Sequence, residues 1–503
     1  MKVGRIDWKI VAVLLSLVYL ATRLLNLTIM PIFVDEAIYT RWSQIIASDP
    51  TNNLFIPLSD GKQPLYMWIA AFFSKILSDP LVATRLVSVL AGLLGMWGIY
   101  LLGKEIFNKR IGIISAVLFI FCPFLFFYNR LAVVDGLLTT FFVFTVLFIY
   151  RLTKKPTLLN AILLGLLLGG GMLTKTTAAL SAIWIPAVLL IFDWQKKNNL
   201  KRLLKLAGLF LVSGVIAFAL YRILKISPLY YLIGQRTPDF IFSPKEVLQH
   251  PLDPFAFRIG DVAGWLLEYL TLPVFLLSWV GFIFMVVKNW RVGIFVGAFF
   301  FGPLLVEMQI AKGFTPRYFI FVAPLALTFA AYILGQFLEN YQSWKVGVIA
   351  ALLVPAILFE FLLVSNPEKA PIPQKEKTGY LEEWSAGYGI KEIADYIKMQ
   401  ETRNNLPITI GTEGTEGYGT LPDGLEVYLR DTKNVTVVGM GQRADIITIP
   451  KDLISDSKIH PAYLVVNSNR LYDKENKVLH LVASYPKANG GNPLQLYEIK
   501  SSN

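Results

Sequence analysis

The segment Ile-Phe-Val-Asp-Glu-Ala-Ile-Tyr-Thr-Arg, residues 32–41, places two carboxylates, Asp35 and Glu36, directly behind a long apolar run that begins near residue 8. A bilayer-spanning helix needs about 20 mostly apolar residues, and this run supplies them. It is too long for a signal-peptide core and lacks a convincing cleavage site, so it reads as a retained anchor behind Lys2, Arg5 and Lys9. Two readings of the acidic pair stay open. In one, Asp35 caps a helix, Val34 and Tyr39 form the hydrophobic staple, and Glu36 sits in the first turn on the positive end of the helix dipole. In the other, the pair is the chemical centre of the protein.

Outward from this segment the chain is 55% hydrophobic and only 16% charged, a balance that fits a polytopic α-helical membrane protein rather than a soluble core. Spans are expected near residues 8–27, 86–103, 111–128, 132–150, 158–173, 176–192, 203–221, 265–287, 292–310, 318–338 and 345–364, about eleven in all. Basic residues gather in alternate loops: Lys104, Lys109 and Arg110, then Arg151, Lys154 and Lys155, then Lys196, Lys197, Lys201 and Arg202, then Lys288 and Arg291. This positive-inside pattern accounts for the net charge of +12 without a nucleic-acid partner. It predicts a cytoplasmic N-terminus and an external C-terminal region, with Asp35, Asp135, Lys175 and Arg317 on external loops. A single cysteine, Cys122, excludes an intramolecular disulfide and a cysteine-rich metal site.

The expected membrane domain covers residues 1–365, and its first external loop, about 28–85, is longer than a connection requires. Ile38, Trp42, Ile45 and Ile46 recur at helical spacing, which suggests a helix lying in the interface plane. A second helix, too short to span, is expected from Pro64. The loop 222–264 is broken by five prolines and reads as a lid or as a plain connector. A linker follows at 366–386, then a small external α/β or α+β domain at 387–503. In that domain Gly389–Gln400 reads as a helix. Ile408–Thr412, Leu425–Leu429, Val435–Met440, Ala462–Asn467, Val478–Ala483 and Leu494–Ile499 read as strands. The glycines of 411–419 lack the spacing of a dinucleotide fingerprint and read as a loop.

Ionisable residues near spans mark function more often than they mark packing. Here Arg130, Asp135, Glu268, Glu307 and Glu360 all fall near external helix ends and none at the midplane, where a transporter would hold its cargo. Each has a structural alternative. Asp135 complements the dipole of its own helix, Lys175 snorkels, Lys62 is a solvated loop residue, and the three glutamates are structural partners. Arg317 with Tyr318 begins a helix, where a cation is disfavoured unless an anion such as phosphate shares the place. Taken together, the functional readings describe one scheme. A carboxylate takes the proton of an acceptor hydroxyl attacking an anomeric carbon, cations stabilise a departing polyprenyl phosphate, and single displacement inverts the centre.

Five motifs carry a resemblance: Val-Asp-Glu-Ala-Ile-Tyr at 34–39, Gly-Lys-Gln-Pro-Leu-Tyr at 61–66, Arg-Leu-Ala-Val-Val-Asp at 130–135, Leu-Thr-Lys-Thr at 173–176 and Pro-Arg-Tyr at 316–318. In this order the chain resembles the GT-C glycosyltransferases of the protein O-mannosyltransferase and aminoarabinose lipid A transferase superfamily, over roughly residues 8–340. The resemblance implies Asp35 as catalytic carboxylate, Glu36 as its acceptor-site or structural neighbour, and Asp135 as the second external acid. It implies Lys62, Arg317 and Tyr318 as donor phosphate or sugar contacts, to which Arg130, Lys175 and Tyr39 are added as candidates. Ile38 stands where lipid A transferases often carry Arg, and Gln63 replaces the first Pro of a common Lys-Pro-Pro. Both departures point away from a lipid A acceptor.

The expectation is therefore inverting transfer of a sugar from a polyprenyl-phosphate donor to a lipid, glycan or protein hydroxyl at the external face, with Asp35 as base. The rivals are a lipid-linked glycan polymerase or ligase and, in another class, a lipid or sugar flippase. No cofactor is required. Three histidines in the chain exclude a His-rich metal site, whereas carboxylates leave a divalent cation open.

Overall fold

The structure is a computed structural model, and it describes residues 8–340, 345–414, 419–441, 445–446 and 448–500. In chain order the principal helices are α1 (Trp8–Leu24), α2 (Val34–Ser48), α3 (Pro80–Ile106), α4 (Asp135–Lys154), α5 (Leu158–Thr174), α6 (Asn199–Tyr221), α7 (Trp290–Ile310), α8 (Ala323–Asn340), α9 (Lys345–Ser365), α10 (Ile390–Asn404), α11 (Asp423–Leu429) and α12 (Lys451–Asp456). Two compact units divide them. The first comprises 1–26, 52–69 and 85–365, the second 27–51, 70–84 and 366–503. The first external loop, assigned from sequence to the membrane domain, thus splits its residues between the two.

Among the described residues, six helices are long and apolar enough to cross a bilayer, or seven if Asp253–Leu270 and Leu272–Lys288, bent by 115°, count as one. The expected eleven are not found as eleven continuous spans, and the reasons are local. The run expected at 111–128 stops at Ile120 and restarts at Pro123, which opens a separate six-residue helix. The run expected at 176–192 breaks into short turns around Pro186, which has no N–H to donate. α5 reaches only 17 residues.

Small residues set the packing that places Lys175. A Cβ at Gly165 would stand 2.8 Å from the Ser213 carbonyl, and one at Gly169 would stand 3.2 Å from Ala217 Cα, so this Gly-x-x-x-Gly pair lets α6 lie directly on α5. Ser213 Oγ donates to the Ala161 carbonyl at 2.8 Å across the same contact. α5 ends at Thr174, and Lys175 is its extended C-cap.

In the second unit a five-stranded sheet has the order β2-β1-β3-β5-β4, with β1 Ile408–Thr412, β2 Val435–Gly439, β3 Ala462–Asn467, β4 Leu479–Tyr485 and β5 Leu494–Ile499. β2, β1 and β3 are parallel, and β5 pairs antiparallel with both β3 and β4. Parallel neighbours need crossovers, and α11 and α12 lie in them, so this part is α/β with an antiparallel edge. Leu425–Leu429, expected as a strand, is helix α11: Leu425 and Leu429 stand one turn apart and are both buried, and burial overrides strand propensity.

α2 corrects a second expectation. Both sides of the helix are covered, the polar Thr40, Ser43 and Gln44 as well as Ile38, Trp42 and Ile46, so it is not a helix resting on a leaflet. Ile32 and Ala37 instead share one apolar core with Ile390, Ile393, Leu425 and Val465.

Candidate functional site

In the first unit, three residues from widely separated stretches meet. Asp135 opens α4 and is completely buried. Its Oδ1 lies 2.9 Å from Lys175 Nζ and its Oδ2 lies 3.3 Å from Arg317 Nε. Arg317 sits in a short turn, Pro316–Tyr318, ahead of α8. The anion that the sequence reading wanted beside this arginine is therefore present as a side chain, Asp135. Tyr318 completes the group, its ring centroid 4.9 Å from Lys175 Nζ, a distance at which the ring face attracts the ammonium. Burial works most strongly against the Lys175 charge, but Asp135 together with Tyr318 and Glu307 holds the ammonium above the ordinary lysine range. Glu307, near the end of α7, is buried and acts electrostatically on Lys175 and Asp135.

Lys62 lies in another part of the same unit, with Nζ 3.4 Å from Asp60 Oδ2. Arg236, which sequence reasoning missed, shares that acid, its Nη2 and Nε reaching Asp60 Oδ1 at 2.6 and 3.1 Å. No local signal links residues 60 and 236; only the fold does. Arg130, proposed as a phosphate ligand, is occupied differently. Its guanidinium donates to the carbonyls of Thr22 (3.2 Å), Arg23 (2.6 Å) and Asn26 (2.8 Å), at and just beyond the C-terminal end of α1. Glu360 stands 3.7 Å from the buried Arg23, as a structural partner would, and Glu268 is exposed.

In the second unit, α2 begins at Val34 with Phe33 as its cap residue, so Asp35 is the second residue of the helix and not its N-cap. Asp35 is half-buried. Glu36 is fully buried and turned back on its own helix, its Oε2 accepting from the Phe33 N–H at 3.1 Å. That is the work of a capping glutamate. Tyr39 is buried, its ring 6.0 Å from that of Trp42. Among the described residues no group of three or more His, Cys, Asp or Glu side chains converges closely enough to hold a metal ion.

Residues 61–221 match the family described as dolichyl-phosphate-mannose-protein mannosyltransferase. The undecaprenyl phosphate-alpha-4-amino-4-deoxy-L-arabinose arabinosyl transferase of Erwinia tasmaniensis is 26% identical over 386 residues. That alignment takes in 71% of this chain and 66% of the relative, just under two thirds of the relative's length. Among solved structures, ArnT from Cupriavidus metallidurans bound to undecaprenyl phosphate matches with a TM-score of 0.59 at 16% identity, covering 99% of both chains. The chain has the GT-C fold of these solved structures. The Archaeoglobus fulgidus oligosaccharyltransferase shares this GT-C fold with a TM-score of 0.53 at 14% identity, covering 91% of this chain and 68% of its own. With the apolar helices of the first unit, the GT-C resemblance makes this a multi-pass membrane protein.

Proposed function

We propose that this GT-C protein transfers a sugar from a polyprenyl-phosphate donor to an acceptor hydroxyl at the external face of the membrane. The observation that carries the reading is the Asp135–Lys175–Arg317 group, two partly exposed cations closed on one buried carboxylate. A phosphate offers the same oxygens to those cations, and Arg and Lys suit it. The relatives named for undecaprenyl-phosphate-linked sugar transfer and for bound undecaprenyl phosphate support it.

In the proposed reaction the acceptor oxygen attacks the anomeric carbon while its proton passes to the Asp35 carboxylate. The bond from that carbon to the phosphate oxygen breaks, and its electron pair leaves with the polyprenyl phosphate. Phosphate is a weak base and needs no acid to depart; Lys175 and Arg317 stabilise its growing charge. One displacement inverts the anomeric centre.

The test is release of polyprenyl phosphate, followed by mass spectrometry, from a panel of pentosyl, amino-pentosyl, hexosyl and oligosaccharyl donors. The unmodified chain should turn over one donor class, and Asp35→Asn should lower that rate by about 10²–10⁴-fold with folding intact. Equal rates would remove Asp35 from the mechanism, and an oligosaccharide-only response would move the reading to a glycan polymerase or ligase.

A further inference from the structure

The GT-C reading leaves the sheet-bearing C-terminal domain without a task. We infer that this domain is the positioning element of the motif helix α2, acting through Arg41 and Gln44 on the helix and through Glu426 and the Val427 carbonyl on α11.

The contacts hold the helix at its entry and along its length. At the entry, the Val34 N–H donates to the Ser385 carbonyl at 3.0 Å, and the Gly387 N–H donates to the Ile32 carbonyl at 2.9 Å. Phe33 stacks on Tyr380 with ring centroids 4.0 Å apart. Further along, Arg41 Nε meets Glu426 Oε2 at 2.6 Å, and Gln44 Nε2 donates to the Val427 carbonyl at 2.9 Å. A Cβ on Gly424 would lie 3.8 Å from that of Ala37, so the two helices pack closely there.

The geometry of an α-helix makes this grip directional. Ala37, Arg41 and Gln44 are spaced by four and three residues and fall on one face. With about 100° between successive residues, Asp35 lies on the order of 150° round the axis from the centre of that face. The domain therefore holds one side of α2 and turns Asp35 out on the other, on the side of Tyr39 and Trp42. A base must be held close to its reacting geometry, and a displacement of about 1 Å costs about 10²-fold in rate. Arg41 and Glu426 are thus positioning residues for a base, a role that rests on the reading of Asp35 given above.

The experiment uses the full-length reconstituted protein and the variants Arg41→Ala, Glu426→Ala, their combination, and the exchanged pair Arg41→Glu with Glu426→Arg. Each single variant is expected to lower kcat about tenfold with the donor KM within twofold, and the double variant to be no worse than either. The exchanged pair should restore at least half of kcat. Backbone amide exchange over residues 34–47 should rise about tenfold in Glu426→Ala and stay unchanged in α4 and α5. Unchanged exchange over 34–47 overturns the inference whatever the rates. So does a kcat within twofold of the unmodified chain in the single variants, and an exchanged pair that restores nothing. If the unmodified chain turns over no donor, the functional reading fails by itself, and amide exchange in Glu426→Ala still decides the positioning role.

Discussion

Asp135 in the first unit and Glu36 in the second are buried carboxylates held in different ways. In the first, Asp135 is neutralised by side chains: a lysine and an arginine, brought from 40 and 182 residues away, each approach one oxygen. In the second, Glu413 is held by the Asn467 and Arg470 side chains as well as by the Asn467 N–H, but two other buried acids accept from backbone near a helix start. Glu36 accepts the Phe33 N–H, and Asp423 accepts the Gly419 N–H at 2.8 Å. The difference lies in what can be exchanged. Cations on long side chains can pass from Asp135 to an arriving phosphate, whereas a carboxylate bound to its own helix start has nowhere to go. On this contrast the first arrangement suits a substrate site and the second suits a scaffold.

The largest expected effect comes from removing a cation. Lys175→Met leaves Asp135 buried beside one partner, which should cost about 3–5 kcal/mol of stability. A thermal unfolding series in detergent would read it, and combining Lys175→Met with Asp135→Asn should recover most of the loss, since the two are coupled. A double variant as unstable as the sum of the singles would break the comparison.

A pH effect comes next, from Asp423. Burial pushes its carboxyl up to about 7, opposed by the Gly419 N–H, raised further by Glu426 and lowered by Arg41. A carboxyl whose folded pKa is raised favours the fold while it stays protonated, so its contribution is fully present below about 4 and is lost as pH rises through about 7. At about 1.4 kcal/mol per unit, the change is at most about 4 kcal/mol. Asp423→Asn keeps an acceptor for the Gly419 N–H and should flatten the unfolding midpoint between pH 4 and 8, with the variant the more stable at pH 8. An unchanged slope would show that the acid is already ionised in the fold.

The smallest effect should be at Glu36. Glu36→Gln keeps an oxygen for the Phe33 N–H, and the charge it loses is worth about 1 kcal/mol or less at a helix start. Turnover should stay within a few-fold of the unmodified chain. A loss as deep as that of Asp35→Asn would move Glu36 from the scaffold into the chemistry.

Much of this was legible in the sequence where the signal was local. The motif order from Val34 to Tyr318 pointed to the GT-C fold, β1, β2, β3 and β5 followed from short apolar runs, and the lysine after Leu-Thr at 173–174 did join Asp135. Signals written in the far chain were not legible. Glu36 and Asp35 look equivalent as neighbours, yet a helix start two residues earlier than expected sends one to the backbone and leaves the other half-exposed. Arg130 looked like a phosphate ligand because nothing nearby announces the end of α1 as its partner. Leu425–Leu429 has the composition of a strand and becomes a helix because α2 and α10 pack against it.

The division of the chain also sets a timetable. α2 is made some 340 residues ahead of Ile390, but the core that encloses Ile32 and Ala37 is assembled, apart from Leu81, from residues 390–496. At ~5–20 residues per second, the interval is on the order of twenty to ninety seconds. Through that time the helix carrying Asp35 lacks the β3 and β5 residues that later enclose Ile32 and Ala37.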